Sequence, residues 1–350
     1  MKIGIPKETK VLEGRVGLIP QACAELVRAG HALYLQQGAG EMSGYPDAQY
    51  QQLGVNILAT AAEVYEQADM IIKVKEPWGD ELQLLKARHL LFCFLHLAAN
   101  EVLTQQLLAI GLTAVAFETV ESNGKLPVLT PMSAVAGRVA VQVGAHLLYQ
   151  PEGGRGVLLG GLATAERGHV VILGAGVAGS HAATMAAAIG AQVTVFDRLP
   201  EKLDMARSIG PNVTGLYPYQ DAIEEALGSA DLLIGAVLIP GAKAPHLVSR
   251  AMVKNMKKRS VIIDISVDQG GCVETTKPTS YEHPTYIEEE VVHFGVTNMP
   301  GAVPRTASQA LSAAILPYAL HLASPDWKAY AELLNAVNVS AGEVVYPALK

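Results

Sequence analysis

Residues 170–196 read VVILGAGVAGSHAATMAAAIGAQVTVF, and the fold turns on how this stretch is read. It carries no formal charge and exceeds the roughly 20 residues that span a bilayer. Three glycines fall within its first ten residues, however, and a β-branched run closes it. That is strand, turn, helix and strand, and not one lipid-facing helix. The turn itself is Gly174-Ala175-Gly176-Val177-Ala178-Gly179. A lone G-x-G-x-x-G is weak, but here an apolar strand precedes it, a helix of small residues follows, and QVTVF leads to Asp197. Gly174 permits the tight turn, Gly176 lets backbone approach a pyrophosphate, and Gly179 lets helix and strand pack closely. The helix N-terminus offers unpaired N–H groups and partial positive charge to phosphates. Asp197, 18 residues after Gly179, is placed to accept hydrogen bonds from an adenosine ribose, which favours NAD over NADP; Arg198 beside it weakens that preference.

Outward from this unit, the pattern of strand and helix continues in both directions. Downstream, helix Pro200–Ile209, strand Asp231–Val237, helix Ser249–Met256, strand Ser260–Ile265 and strand Val291–Val296 follow. A closing helix is predicted over Thr306–Ala323, with a kink at Pro317. Upstream, strands at Lys2–Pro6, Ala32–Gln36, Met70–Val74, Leu90–His96 and Leu112–Glu118 alternate with helices at Pro20–Ala29, Ala61–Gln67 and Glu101–Ile110. Met132–Tyr149 is a long helix whose Ala136, Ala140 and Gly144 recur every four positions and allow close helix contact. The expected architecture is α/β, with two Rossmann-like, doubly wound parallel-sheet domains separated by a cleft and linked by long crossover helices. Residues 1–130 and 305–350 form the substrate domain, and residues 131–304 the dinucleotide domain. Glu288-Glu289-Glu290 reads as a solvated loop or helix face.

Composition removes several classes of function. Half of the 350 residues are hydrophobic, 17% are charged and 5% are aromatic, which suits ordered cores and excludes disorder. Lys plus Arg number 26 against 33 Asp plus Glu, a net charge of −7 with no basic run, so nucleic acid is not a partner. Cys23, Cys93 and Cys272 are too few and scattered for a disulfide framework or a metal site; Cys272 reads as packing. The N-terminus lacks the apolar core of a signal peptide, so a cytoplasmic protein without membrane attachment is expected.

Ligands of open α/β sheets gather beyond the carboxyl ends of the strands, so the polar residues there are informative. The loop after the first strand carries Glu8, Lys10, Glu13 and Arg15. IIKVKEP presents Lys73 and Lys75, LLFCFLH ends in His96, SVIIDISVD ends in Asp268, and VHFGVTNMP presents Asn298, Met299 and Pro300. Each has a plainer reading. A lysine at a strand end is commonly a solvated cap, a histidine after an apolar strand packs, and an aspartate caps the next turn. Taken together, two cations, an imidazole and a carboxylate suit a small anionic substrate whose oxidation or reduction moves one proton.

Several long stretches resemble one family. IGIPKETKVLEGRVGLIP, KVKEP, FCFLHLAAN, TPMSAVAGR, GGRGVLLGG, VILGAGVAG, ADLLIGAVLIPGAKAP, DISVDQGGC and VTNMPGAVPRTAS run collinearly from residue 1 to about 320. They are similar to bacterial alanine dehydrogenases, which group with the NAD-binding subunit of proton-translocating transhydrogenase. The resemblance implies reversible oxidative deamination of L-alanine to pyruvate and ammonium with NAD, by a homo-hexamer. Arg15 and Lys75 are implied in binding the substrate carboxylate and carbonyl oxygen, His96 as general acid/base, and Asp268 in orienting the amino group near the nicotinamide. Ser133, Gly174, Ala175, Gly176, Val177, Ala178, Gly179, Asp197, Lys202, Val237, Leu238, Ile265, Asp268, Asn298 and Met299 are implied in holding the cofactor. No metal is implied.

Three other readings share parts of this pattern. A transhydrogenase-type subunit needs the dinucleotide domain but not Arg15, Lys75 and His96 together. An enzyme joining lysine and a keto acid into a secondary amine needs a wider pocket. An NAD-sensing protein without turnover is marked by loss of catalytic groups.

Overall fold

Met70–Ile72, Leu90–Cys93, Leu232–Gly235 and Val261–Asp264 are buried at every position. Continuous apolar strands of this kind lie in parallel sheets covered on both faces by helices. The computed structural model describes residues 1–237 and 244–350, and its contacts divide it into two units. One comprises Met1–Met132 with Gly301–Lys350, the other Ser133–Pro300.

The first unit runs β1 (Lys2–Ile5), α1 (Pro20–Arg28), β2 (Ala32–Gln36), α2 (Asp47–Gln51), β3 (Asn56–Leu58), α3 (Ala61–Gln67), β4 (Met70–Ile72), α4 (Glu81–Leu84), β5 (Leu90–Cys93), α5 (Glu101–Ile110) and β6 (Thr113–Ala116). Local chemistry sets the helix ends. Pro20 opens α1, a Thr60–Glu63 capping box opens α3, and the Asn100 side chain accepts from Leu103 N at the start of α5. Gly111, at φ 77°, closes α5. Helix α6 (Thr130–Leu147) then begins, and Ser133 onward belongs to the second unit.

The second unit contains β7 (His169–Leu173), α7 (Val177–Ala188), β8 (Gln192–Phe196), α8 (Pro200–Arg207), β9 (Val213–Leu216), α9 (Gln220–Ser229), β10 (Leu232–Gly235), α10 (Arg250–Lys254), β11 (Val261–Asp264), β12 (Thr285–Glu288) and β13 (Val291–Phe294). The chain then completes the first unit with α11 (Pro304–Leu322), α12 (Ala331–Leu334), β14 (Val337–Ser340) and β15 (Glu343–Val344).

The first sheet has the order β15-β14-β6-β5-β4-β1-β2-β3, with β1 to β6 parallel and the last hairpin antiparallel. The second has the order β12-β13-β11-β10-β7-β8-β9, with only β12 antiparallel. Both sheets therefore reverse strand order once, at β1/β4 and at β7/β10. Ligands of doubly wound sheets bind at such a switch point, outside the carboxyl ends. In the first unit, Leu311 and Ile315 of α11 join Ile3, Ile5, Leu33 and Phe92 in one core.

Several strands stop earlier than their apolar runs. The expected strands Lys2–Pro6, Met70–Val74, Leu90–His96 and Leu112–Glu118 end at Ile5, Ile72, Cys93 and Ala116, and the residues beyond turn into the loops that carry polar groups. Helix α11 runs unbroken through Pro317. Glu288-Glu289-Glu290 is neither a helix face nor a plain loop. It closes the β12–β13 hairpin, with Glu289 and Glu290 at φ 50° and 61°, and pairs with Arg250 and Lys258.

Candidate active site

The three glycines of 174–179 meet three different surroundings. Gly174 sits at φ 95°, and a Cβ there would lie 2.7 Å from the Ala236 carbonyl oxygen. A Cβ on Gly179 would lie 1.7 Å from the Gly174 carbonyl oxygen, so position 179 has no room for any side chain. A Cβ on Gly176 would meet nothing within 4 Å. Gly176 is the N-cap of α7 and offers no side chain to the helix amides. A helix start with open space beside its N-cap glycine is what close approach of a pyrophosphate requires, so the loop fits the dinucleotide the motif implies.

Asp197 follows β8. Its Oδ2 accepts from Ala175 N at 2.7 Å, its Oδ1 from Leu199 N at 3.0 Å, and Lys202 Nζ lies 3.9 Å away. The carboxylate is thereby fixed to the glycine loop. Val237 follows β10, and its carbonyl accepts from Ser266 Oγ at 2.7 Å, joining it to the turn Ile265–Gln269 that carries Asp268. Asp264, at the end of β11, is fully buried and organises this segment. It accepts from Ser266 N at 2.9 Å, Cys272 N at 2.8 Å and Val273 N at 3.3 Å. Burial raises the Asp264 pKa, and the backbone donors oppose that rise. Asp268 itself is exposed. Asn298 lies beyond β13 at φ 65°, and Met299 is buried with its carbonyl held by Tyr281 Oη at 3.0 Å. Ser133 is half-buried on α6, one turn before Gly137, whose Cβ would clash with the Ala178 carbonyl. Ala136, Ala140 and Gly144 are buried as the small-residue spacing implied. Leu238 lies outside the described residues.

The first unit gathers the charged residues of its strand ends. Arg15 is 3% exposed. Its Nε donates to Glu13 Oε1 at 2.7 Å, Nη2 pairs with Glu13 Oε2 at 2.5 Å, and Nη1 lies 3.3 Å from Met132 Sδ. Lys75 is half-buried, and its pKa is lowered by burial and by the Arg15 cation. Beside it Glu76 pairs with Lys10 and stands 3.7 Å from His96 Nδ1. Burial opposes ionisation of Glu76, but hydrogen bonding to His96 and Lys10 outweighs it and takes the pKa to about 2.

His96 has a half-exposed side chain, so it is not a packing histidine. Its φ of 51° is left-handed, an uncommon conformation for a residue with a Cβ. The Glu118 carboxylate stabilises this bend, accepting from His96 N at 2.6 Å and from Leu95 N at 3.2 Å. The imidazole stacks on Phe94 with centroids 5.7 Å apart. Burial of the ring works against its charge, but the Glu76 bond and the Glu118 charge outweigh it and raise the His96 pKa.

Lys73 is neither a solvated cap nor a member of this group. It is 1% exposed and reaches Glu8 at 3.2 Å and Glu81 at 3.3 Å. Glu76 and Glu118 are the partners that sequence reasoning passed over. Glu76 directly follows Lys75, and Glu118 lies just past a strand, which were the available signals. Cys272 packs fully buried at 3.7 Å from Asp264, and burial raises its thiol pKa. Among the described residues no group of His, Cys, Asp and Glu is placed to hold a metal ion, and no helix is long and apolar enough to cross a membrane.

Comparison with known proteins agrees with both halves of this description. The family described as alanine dehydrogenase/PNT, N-terminal domain, matches residues 4–136, and the corresponding C-terminal domain matches residues 140–347. The alanine dehydrogenase of Halomonas elongata is 45% identical over 355 residues, covering 100% of this chain and 96% of its own. A solved L-alanine dehydrogenase is 49% identical with a TM-score of 0.97, covering 100% of this chain and 98% of its own. A transhydrogenase structure from Sinorhizobium meliloti is 26% identical with a TM-score of 0.85, covering 99% and 100%. With both domains matched and such relatives along the whole length, the chain belongs to the alanine dehydrogenase/PNT family.

Proposed function

We propose that this protein is an NAD-dependent L-alanine dehydrogenase. It converts L-alanine, NAD and water reversibly into pyruvate, ammonium, NADH and a proton. The observation that carries this reading is the charged network at the strand ends of the first unit, in which the electrostatics of Arg15, Lys75 and His96 are coupled. A subunit that only binds nucleotide has no need of a carboxylate fork, a lysine and a titrating imidazole together.

NAD, when bound, supplies the acceptor for the hydride leaving the substrate Cα. The glycine loop 174–179 and the start of α7 hold its pyrophosphate, and Asp197 selects the unphosphorylated ribose. Ser133, Lys202, Val237, Leu238, Ile265, Asn298 and Met299 complete the cofactor contacts. Arg15 supplies the positive charge that binds the substrate carboxylate, with Glu13 holding one edge of the guanidinium in place. Lys75 donates to the carbonyl oxygen as it forms or is lost. His96 takes a proton from the water or amine nitrogen in the oxidative direction and returns it in the reductive one. Its raised pKa favours the imidazolium that the reductive direction uses. Asp268 orients the amino group. The family resemblance carries with it a cytoplasmic homo-hexamer, which light scattering on the purified protein checks for assembly.

The test is incubation of the protein with NAD and L-alanine at alkaline pH, following NADH absorbance and assaying pyruvate. Equimolar NADH and pyruvate are expected. NAD binding without either product overturns the reading in favour of a transhydrogenase-type role.

A further inference from the structure

We propose that Glu8 and Lys73 are positioning residues that clamp the backbone of Lys75 from both sides and so aim its ammonium. This rests on the reading of Lys75 as a substrate ligand given above.

The clamp arises from how the sheet ends at its switch point. Strand β1 pairs with β4 as far as Gly4↔Ile71 and then departs. Beyond Ile72 one side of the chain is still served by the residue that follows β5, with Phe94 N donating to the Val74 carbonyl at 3.1 Å. On the other side no strand continues, and buried amides without a partner are costly. The Glu8 carboxylate replaces the missing strand. It accepts from Val74 N at 2.6 Å and from Lys75 N at 3.3 Å. Lys73 completes the arrangement, because its Nζ donates to the Lys75 carbonyl at 3.1 Å while pairing with Glu8. The N–H and C=O of Lys75 are therefore both held by one buried ion pair.

A different residue balances that pair without touching Lys75. Glu81 reaches Lys73 Nζ at 3.3 Å and accepts from Trp78 N at 3.2 Å. Glu8 and Glu81 thus share one cation, but only Glu8 bonds the Lys75 backbone. This asymmetry separates positioning from simple stabilisation.

The experiment compares Glu8→Gln with Glu81→Gln in the full-length enzyme, measuring KM and kcat for pyruvate, the Kd for NADH and the melting temperature. Both substitutions lower the melting temperature, since each removes a partner of a buried lysine. Glu8→Gln is expected to lower kcat/KM for pyruvate about tenfold, chiefly through KM, the loss of one charge-assisted hydrogen bond. Its NADH Kd stays within about twofold, and Glu81→Gln leaves kcat/KM within about twofold. Equal effects of the two variants on kcat/KM, or none from Glu8→Gln, overturn the clamp. If Glu8→Gln fails to fold, Glu8→Asp is read by the same criteria, because it keeps the charge but is too short to serve both amides. Lys75→Gln separates the two readings. A large loss there with none in Glu8→Gln overturns the clamp alone, whereas no loss in Lys75→Gln removes the underlying assignment and the clamp with it.

Discussion

Two glycines three positions apart at the start of one helix carry opposite consequences. Gly179→Ala places a Cβ 1.7 Å from a backbone oxygen that cannot yield. The expected cost is at least ~3 kcal/mol, read by urea unfolding. Gly176→Ala meets nothing within 4 Å and is expected to leave stability within ~0.5 kcal/mol while weakening NAD binding at least about tenfold, read by titration. Equal destabilisation by both would deny Gly176 its role toward the phosphates. Glu76 offers a second test at this scale. Its carboxylate, ionised well below neutral pH, raises the His96 pKa against the effect of burial. Reduction of pyruvate needs protonated His96, so kcat/KM falls as pH rises through the His96 pKa. In Glu76→Gln that fall moves to lower pH; an unmoved profile shows that the pair does not govern the titration.

Single side chains also hold together the elements that carry the site. Asp264 bonds three amides of the 265–273 segment, and an Asn there would set its own N–H₂ against one of those donors. Asp264→Asn is expected to cost ~2–4 kcal/mol in urea unfolding, and a loss under ~0.5 kcal/mol would show that the segment is held by other contacts. Elements with a strong local pattern were legible in the sequence: β2, α3, α5, β7 and β8 fall at the residues expected. Others, such as α1, α8, β11 and α11, fall within two residues of the expected bounds, whereas β9, β12 and β14 carried no local signal. Gly215 interrupts β9 (Val213–Leu216). β14 contains buried Asn338, whose side chain donates to Ala336 O at 3.0 Å and Thr119 Oγ1 at 2.9 Å across a register shift. The β12–β13 turn uses Glu289-Glu290 in left-handed conformations usually taken by Asn-Gly, with Arg250 and Lys258 relieving the charge.

At the scale of the molecule, one strand order is used twice for different chemistry. The switch point of the second sheet is lined by glycine backbone, and that of the first by buried ion pairs. The glycine loop was readable because its demands are local to six residues. The burial of Lys73 was not, because its partners Glu8 and Glu81 lie 65 and 8 residues away and only the fold brings them together. The division of labour between the units is open to one direct measurement. His96→Ala should bind NADH as tightly as the wild-type protein in a fluorescence titration, while alanine-dependent NADH formation falls about 10²–10⁴-fold, the range for loss of a general acid/base. Retention of wild-type turnover in His96→Ala would contradict the assignment of the chemistry to the first unit's charged network.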